Sequence, residues 1–364
     1  MKAESASPTG DRQSRTTSRV PPQRIGIIIN PAAGRERAIL RTLNSVLAEL
    51  EIDWDAAITH RKGDARRLAE KAAAAGVDAV AVYGGDGSVL ETATGLRDSN
   101  VPLAILPGGT SNVLSRELGI PSDLTEALYL LSEGAIRGLD MGAAGDQLFF
   151  HMGIGFEAEM QKRADRRSKE RSGTLAYIFS ALRELRNPPT ALFRLELDGQ
   201  IVEMEGINCL VTTFGSIGVA GLKLSKTIDV SDGLLDVIVI SKADFNTFLS
   251  AATGALSSRE LAHALTQWQI RTARITAEPP QSITCDGELV DLDDLSIRVI
   301  PEAVRVFVPP PEDQPSPTHK TGTGRPNTPV PARFCECTRP ARRPAPCGRS
   351  ATTPARSTPP PRPP

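Results

Sequence analysis

The order of apolar and polar positions changes rhythm near residue 139. Before it, short apolar runs alternate with amphipathic stretches of helical length. Residues 24–30 (RIGIIIN) form an unbroken apolar run suited to a strand covered on both faces, and Ile39, Leu43, Val46, Leu47 and Leu50 then recur at helical spacing. The alternation continues with a strand over DWDAAIT, a helix over GDARRLAEKAAAA, a strand over DAVAVY, a helix over SVLETATGL and a strand over VPLAIL, followed by helices starting near Ser111 and Asp123. Strands separated by helices predict a parallel sheet with right-handed crossovers, hence a three-layer α/β domain over 24–137 that receives a ligand at the carboxyl ends of its strands.

After Leu139 the period shortens to two. FRLELDGQIVEMEG alternates on both sides of Asp198-Gly199, a strong hairpin signal. INCLVTTF, LLDVIVI, QSITCDGELVD, LSIRVI and VRVFVP read as further short strands. Residues 138–308 are therefore expected to form a mostly antiparallel β-sandwich, with the last strand free to pack back on the first domain. One insert breaks the pattern: EAEMQKRADRRSKERS (157–172), heavily charged, leads into the apolar GTLAYIFSALREL (173–185).

Charge refines these boundaries. The 364-residue chain carries a formal net charge of −1, but residues 309–364 hold nine basic against three acidic residues and 17 of the 29 prolines. Such a tail buries too little apolar surface to offset its ordering entropy and reads as disordered, as does the segment 1–23. The body between them carries −9, a poor basis for binding nucleic acid. Cys335, Cys337 and Cys347 lie in the tail, and Cys209 and Cys285 in strand-like runs. With neither zinc-type spacing nor a disulfide framework, they read as reduced thiols of a cytoplasmic protein. No run approaches the ~20 apolar residues of a membrane span, and no export signal is visible. His60, His151, His263 and His319 show no ligand spacing and receive no role.

Three glycine-rich corners fall at predicted strand ends: NPAAG (30–34), GGDG (84–87) and PGGTSN (107–112). Glycines let backbone N–H groups approach an anion, and the helix after GGDG points its positive end to the same place, which suits phosphate. Asp86 fits there if Mg2+ stands between it and the phosphates. A tight turn with an aspartate cap is the bland alternative for one such corner; three in succession favour a nucleotide site. Neither the P-loop nor the dinucleotide fingerprint is present.

NPAAG, Thr59, GGDGS with Glu91 and LPGGTSNVLSRELGIP, followed by GIGFEAE, GTLAYIFSALREL, SDGLLDVIVI and CDGELV, resemble the catalytic domain shared by diacylglycerol kinases, sphingosine kinases and bacterial lipid kinases. The resemblance covers residues 24 to 308. It implies an NAD kinase/phosphofructokinase-like α/β domain ahead of the β-sandwich, with ATP and Mg2+ as cofactors. By position it implies that ATP contacts Asn30, Pro31, Ala32, Ala33 and Gly34; Thr59; Gly84, Gly85, Asp86, Gly87, Ser88 and Glu91; and Gly109, Thr110 and Asn112. It further implies a structural metal at the Asp232 side chain with carbonyls near Asp229 and Leu234. The proton acceptor would be Glu288, with Asp286 close behind; their i, i+2 spacing would put both on one face of a strand. Ser88 stands where threonine is commoner, and Val113 where many members carry aspartate.

The expected reaction is Mg2+-dependent transfer of the γ-phosphoryl group of ATP to a lipid hydroxyl, of a diacylglycerol or a sphingoid or ceramide-like alcohol, in the cleft between the domains. The expected partner is a lipid substrate at a membrane surface, where Lys162, Arg163, Arg166, Arg167, Lys169 and Arg171 beside apolar residues would suit anionic headgroups; a solvated helix face is an equal reading. The oligomeric state stays open between monomer and homodimer. A kinase of a soluble acceptor and a catalytically silent lipid- or nucleotide-binding regulator are the rivals. Asp198-Gly199, Asp232-Gly233 and Asp286-Gly287 all look like hairpin turns.

Overall fold

The computed structural model describes residues 21–34, 39–156, 189–215, 225, 228–241 and 265–311. The charged insert, the apolar stretch after it and the two terminal segments read above as disordered lie outside these residues, apart from a few at their edges. Four parallel strands, β1 (Arg24–Ile29), β2 (Asp53–Ile58), β3 (Ala79–Gly84) and β4 (Leu103–Pro107), lie in the order β2-β1-β3-β4. β3 is buried along its whole length and β1 beyond its first residue, which is why both are written in small and β-branched apolar residues. Burying Ile25, Ile27 and Ile28 stabilises the fold by roughly 1.5–3 kcal/mol each.

Among the described residues, five helices accompany the sheet: α1 (Ile39–Glu49), α2 (Asp64–Ala74), α3 (Asp86–Leu96), α4 (Val113–Glu117) and α5 (Leu124–Glu133). α1 packs with α5 and α2 with α3. The crossover from β1 to β2 runs opposite to those that follow, so right-handed connections put the two pairs on opposite faces and create three layers.

The strand-rich half contains β5 (Ala135–Ala144), β6 (Gln147–Phe149), β7 (His151–Gly155), β8 (Ala191–Leu197), β9 (Gln200–Gly206), β10 (Asn208–Thr212), β11 (Leu235–Ile240), β12 (Thr266–Ile270), β13 (Thr272–Glu278), β14 (Ile283–Cys285), β15 (Glu288–Val290) and β16 (Ser296–Val308). β16 pairs in parallel with β4 at Val306 and Leu103, and antiparallel with β5 and β13. One ten-stranded sheet thus runs from the α/β layers into the second lobe through β16, β13, β8 and β9. There it faces a six-stranded sheet in the order β12-β11-β10-β7-β14-β15. Phe193, Leu195 and Leu197 from one sheet meet Met152, Ile154, Cys209, Val211, Val237 and Val239 from the other in the sandwich core.

Local structure departs from the sequence pattern at three places. Residues 295–300 and 304–309 read as separate strands but belong to the single β16, whose register with β5 shifts between Ile300 and Val304. Glu302 sits at φ 48° in this irregularity, and the buried Asp140 holds it by accepting from the Glu302 N–H at 2.8 Å. Among the described residues, Asp232-Gly233 joins no two adjacent strands by a tight turn; it lies in the long connection between β10 and β11, which pair with each other. Asp286-Gly287 is one: Asp286 has φ 48° and Gly287 φ 82°, and Cys285 pairs with Glu288. Asp286 and Glu288 consequently do not share a face of one strand. Among the described residues no helix is long and apolar enough to cross a membrane.

Candidate active site

The three glycine-rich corners meet around the ring of Tyr83, the aromatic residue just before the GGDG run. A Cβ on Gly34 would lie 1.9 Å from the Tyr83 hydroxyl, and one on Gly108 would lie 2.9 Å from the same ring. Gly109 meets main chain instead of a ring, since its Cβ would stand 2.5 Å from the Gly85 Cα. Side chains cannot occupy these points without driving the corners apart. Polar contacts add to the packing. The Asn30 amide donates from Nδ2 to Ser88 Oγ at 2.9 Å while its Oδ1 accepts from the Ala32 N–H at 3.0 Å. Gly108 N–H donates to the Gly84 carbonyl at 2.9 Å. Asn112, at φ 44°, closes its own loop by bonding both the N–H and the carbonyl of Gly109. Pro31, Ala32, Gly34, Gly87 and Thr110 remain exposed around this junction.

Several of the predicted contact residues carry a structural task. Asp86 opens α3, and its Oδ1 accepts from the Val113 N–H at 2.7 Å and the Leu114 N–H at 3.4 Å, capping α4. Burial raises its pKa, opposed by those two amides and the nearby charge of Arg116. Glu91 caps α2 in the same way, accepting from Gly63 and Ala65 at 2.8 and 3.1 Å. Thr59 is buried, and its N–H donates to the Ile29 carbonyl at 2.9 Å. The GGDG corner is therefore tied by Ser88 to the first corner, by Asp86 to the third and by Glu91 to α2.

The β14–β15 hairpin brings acids from the second lobe to this junction. Asp286 is bound to the backbone between β6 and β7: its Oδ2 accepts from the Phe150 N–H and its Oδ1 from the His151 N–H, both at 3.1 Å. Part of the residue reaches solvent, but the carboxyl group points inward, and its burial pushes the pKa up to about 7. The charge of His151 and the two amides oppose the rise, and the carboxylate of Asp86 adds to it. The structure thus brings Asp86 and Asp286, 200 residues apart in sequence, within reach of each other's field. Glu288 lies at the outer edge, exposed, paired with Lys62 from the loop ahead of α2.

The residues expected to hold a structural metal lie elsewhere, in the turn before β11. Asp232 Oδ1 accepts from the Leu234 N–H at 2.9 Å. Asp229 Oδ1 accepts from the Ser231 N–H at 3.0 Å and pairs with Arg137. Burial raises the pKa of Asp232, with the like charges of Asp229 and Asp140 adding to it, and lifts that of Asp236 to about 6. Oxygen donors under mutual repulsion fit a hard cation. Among the described residues no three acidic, histidine or cysteine side chains gather closely enough to hold one alone, so backbone carbonyls would have to complete the shell.

Sequence reasoning missed Tyr83, Lys62 and the Phe150–His151 backbone. An aromatic residue closing an apolar strand just before a glycine run was the available signal for Tyr83; nothing local marked the other two.

The chain matches the model of the diacylglycerol kinase catalytic domain over residues 24–144. It matches that of the YegS C-terminal NAD kinase beta sandwich-like domain over 151–308. It is 31% identical over 282 residues to a protein of Pseudomonas putida described as "Probable lipid kinase YegS-like", covering 75% of this chain and 92% of that one. To the diacylglycerol kinase of Bacillus subtilis it is 29% identical over 274 residues, covering 73% and 90%. A crystal structure of a diacylglycerol kinase from Bacillus anthracis superposes with a TM-score of 0.67 at 26% identity, covering 80% of this chain and 99% of that one.

Proposed function

Because the chain belongs to the lipid-kinase family built on the diacylglycerol kinase catalytic domain, we propose that it transfers the γ-phosphoryl group of ATP to a lipid hydroxyl, of a diacylglycerol or a sphingoid alcohol, in the cleft between its lobes. The observation that carries this reading is the convergence of the glycine corners on Tyr83, with the carboxylate of Asp286 from the second lobe within the field of Asp86. Exposed backbone at Ala32, Gly34 and Gly87 would cradle the phosphates. The alcohol would enter from the side of the β14–β15 hairpin.

Asp286 is the better placed of the two candidate proton acceptors. A general base works best with a pKa near the operating pH, and burial lifts Asp286 to about 7, whereas Glu288 is turned to Lys62 at the surface. In the reaction the alcohol O–H bond breaks with its proton passing to Asp286, the oxygen bonds the γ-phosphorus, and the bond from that phosphorus to the β-phosphate oxygen breaks to release ADP. Mg2+, when bound, would be held by Asp86 together with phosphate oxygens and would share the charge of the transferred group. The basic insert 162–171 would meet anionic headgroups and bring the cleft to a membrane surface.

Purified protein given labelled ATP and a panel of extracted lipids should phosphorylate a lipid alcohol and leave fructose 6-phosphate and NAD untouched. Labelling of the soluble acceptors alone would overturn the lipid assignment.

A further inference from the structure

His151 occupies an unusual position for a histidine. Its neighbours on β7, Met152 and Ile154, point into the sandwich core, so strand alternation turns His151 to the opposite face, toward the first lobe. It is buried, 8% exposed, with its ring stacked on Phe214 at a centroid distance of 6.1 Å and an interplanar angle of 29°. Phe150 lies against the same Phe214 at 6.5 Å. A third apolar ring would fill this place at less cost, since a polar side chain withdrawn from water must find compensation.

Asp286 stands next to it in the chain fold. The Asp286 N–H donates to the His151 carbonyl at 2.8 Å, and the His151 N–H donates back to Asp286 Oδ1 at 3.1 Å. This two-way backbone clasp fixes the turn residue against β7. The imidazole lies close enough for its charge to be the first influence that offsets the burial of the Asp286 carboxyl. Among the described residues, Asp86 at the head of α3, itself in the field of Arg116 on α4, adds its charge to that carboxyl, while Glu288 on the same hairpin is turned to Lys62.

We propose that His151 is a positioning residue for the acceptor-side acid: seated on Phe214 as an imidazolium, it stabilises the ionised Asp286 that takes the alcohol proton, and so sets the pH at which turnover begins. This rests on the reading of Asp286 as proton acceptor. His151 keeps its own proton throughout. The proton taken from the alcohol resides on Asp286 until it leaves with solvent, so nothing else is consumed.

Two measurements separate the proposal from the reading beneath it. The first follows the imidazole titration of His151 by NMR in protein free of nucleotide and metal, in the wild type and in Asp286→Asn. Loss of the carboxylate should lower the His151 pKa by about one unit, the size usual for one neighbouring charge. The second follows kcat/KM against pH in His151→Gln and His151→Phe. Removing the positive charge should raise the acid limb by about one pH unit in both, with activity recovered at higher pH. An unchanged His151 titration in Asp286→Asn overturns the pairing whatever the activity, and an unmoved acid limb in His151→Phe shows that the ring serves packing alone. A coupled titration with turnover surviving in Asp286→Asn would instead refute Asp286 as the base, and the catalytic role of His151 with it.

Discussion

Replacing Asp286 by asparagine should alter how stability responds to pH more than it alters stability at any one pH. Burial lifts this carboxyl to about 7, roughly three units above its value in an unfolded chain. At about 1.4 kcal/mol per unit, ionising it in the folded protein costs on the order of 4 kcal/mol, and about half that where the charged form draws water inward. The sign follows from the raised pKa: the favourable contribution of the neutral acid is complete below about pH 4 and is lost as pH rises through 7. Asparagine does not ionise, so the stability of the variant relative to the wild type should climb by about 2–4 kcal/mol between pH 4 and pH 8. A constant offset is expected as well. The asparagine N–H2 would face either the Phe150 or the His151 N–H, two donors toward one another, at a cost of about 1–3 kcal/mol that pH does not change. Urea denaturation followed by the fluorescence of Trp54 and Trp268 gives both quantities. Profiles that stay parallel within about 1 kcal/mol across this range would refute the burial of the charge, whatever the variant does to catalysis.

Gly87 lies in the first turn of α3 with open space where a Cβ would go, so Gly87→Ala should stabilise the protein by roughly 0.5–1 kcal/mol yet weaken binding of an ATP analogue at least tenfold by calorimetry. Equal affinity would remove this corner from the phosphate site. Gly109→Ala must push the Gly85 backbone away, and nucleotide affinity should fall with it while the sandwich lobe keeps its hydrogen-exchange protection. Asp86→Ala leaves the Val113 and Leu114 N–H groups without their cap, and a loss of about 1 kcal/mol in stability should accompany loss of most turnover; wild-type rates would refute its place in the site. Asp286→Ala should cost more in kcat than Glu288→Ala, and the reverse order would return the proton to Glu288.

Much of the first lobe was legible because its signals are local. An apolar run covered on both faces, as in RIGIIIN or DAVAVY, can hardly be anything but an inner strand, and the helices between such runs force parallel pairing. The glycine corners could be assigned to one end of the sheet for the same reason. Asp198-Gly199 gave its hairpin because turn geometry is set by two residues. The second lobe was legible as a class, antiparallel and alternating, without its pairings.

What the tertiary structure alone decided are the contacts between distant segments. No periodicity could place β16 beside β4, or make one strand of two runs across the irregularity held by the buried Asp140. Nor could it set Asp286 against the amides of Phe150 and His151 while Glu288, two residues on, turned to Lys62. Residue type states what a side chain can do chemically, but a carboxyl group's proton affinity depends on which charges, amides and water surround it. Those neighbours come from elements more than a hundred residues apart, brought together only when the two cores close.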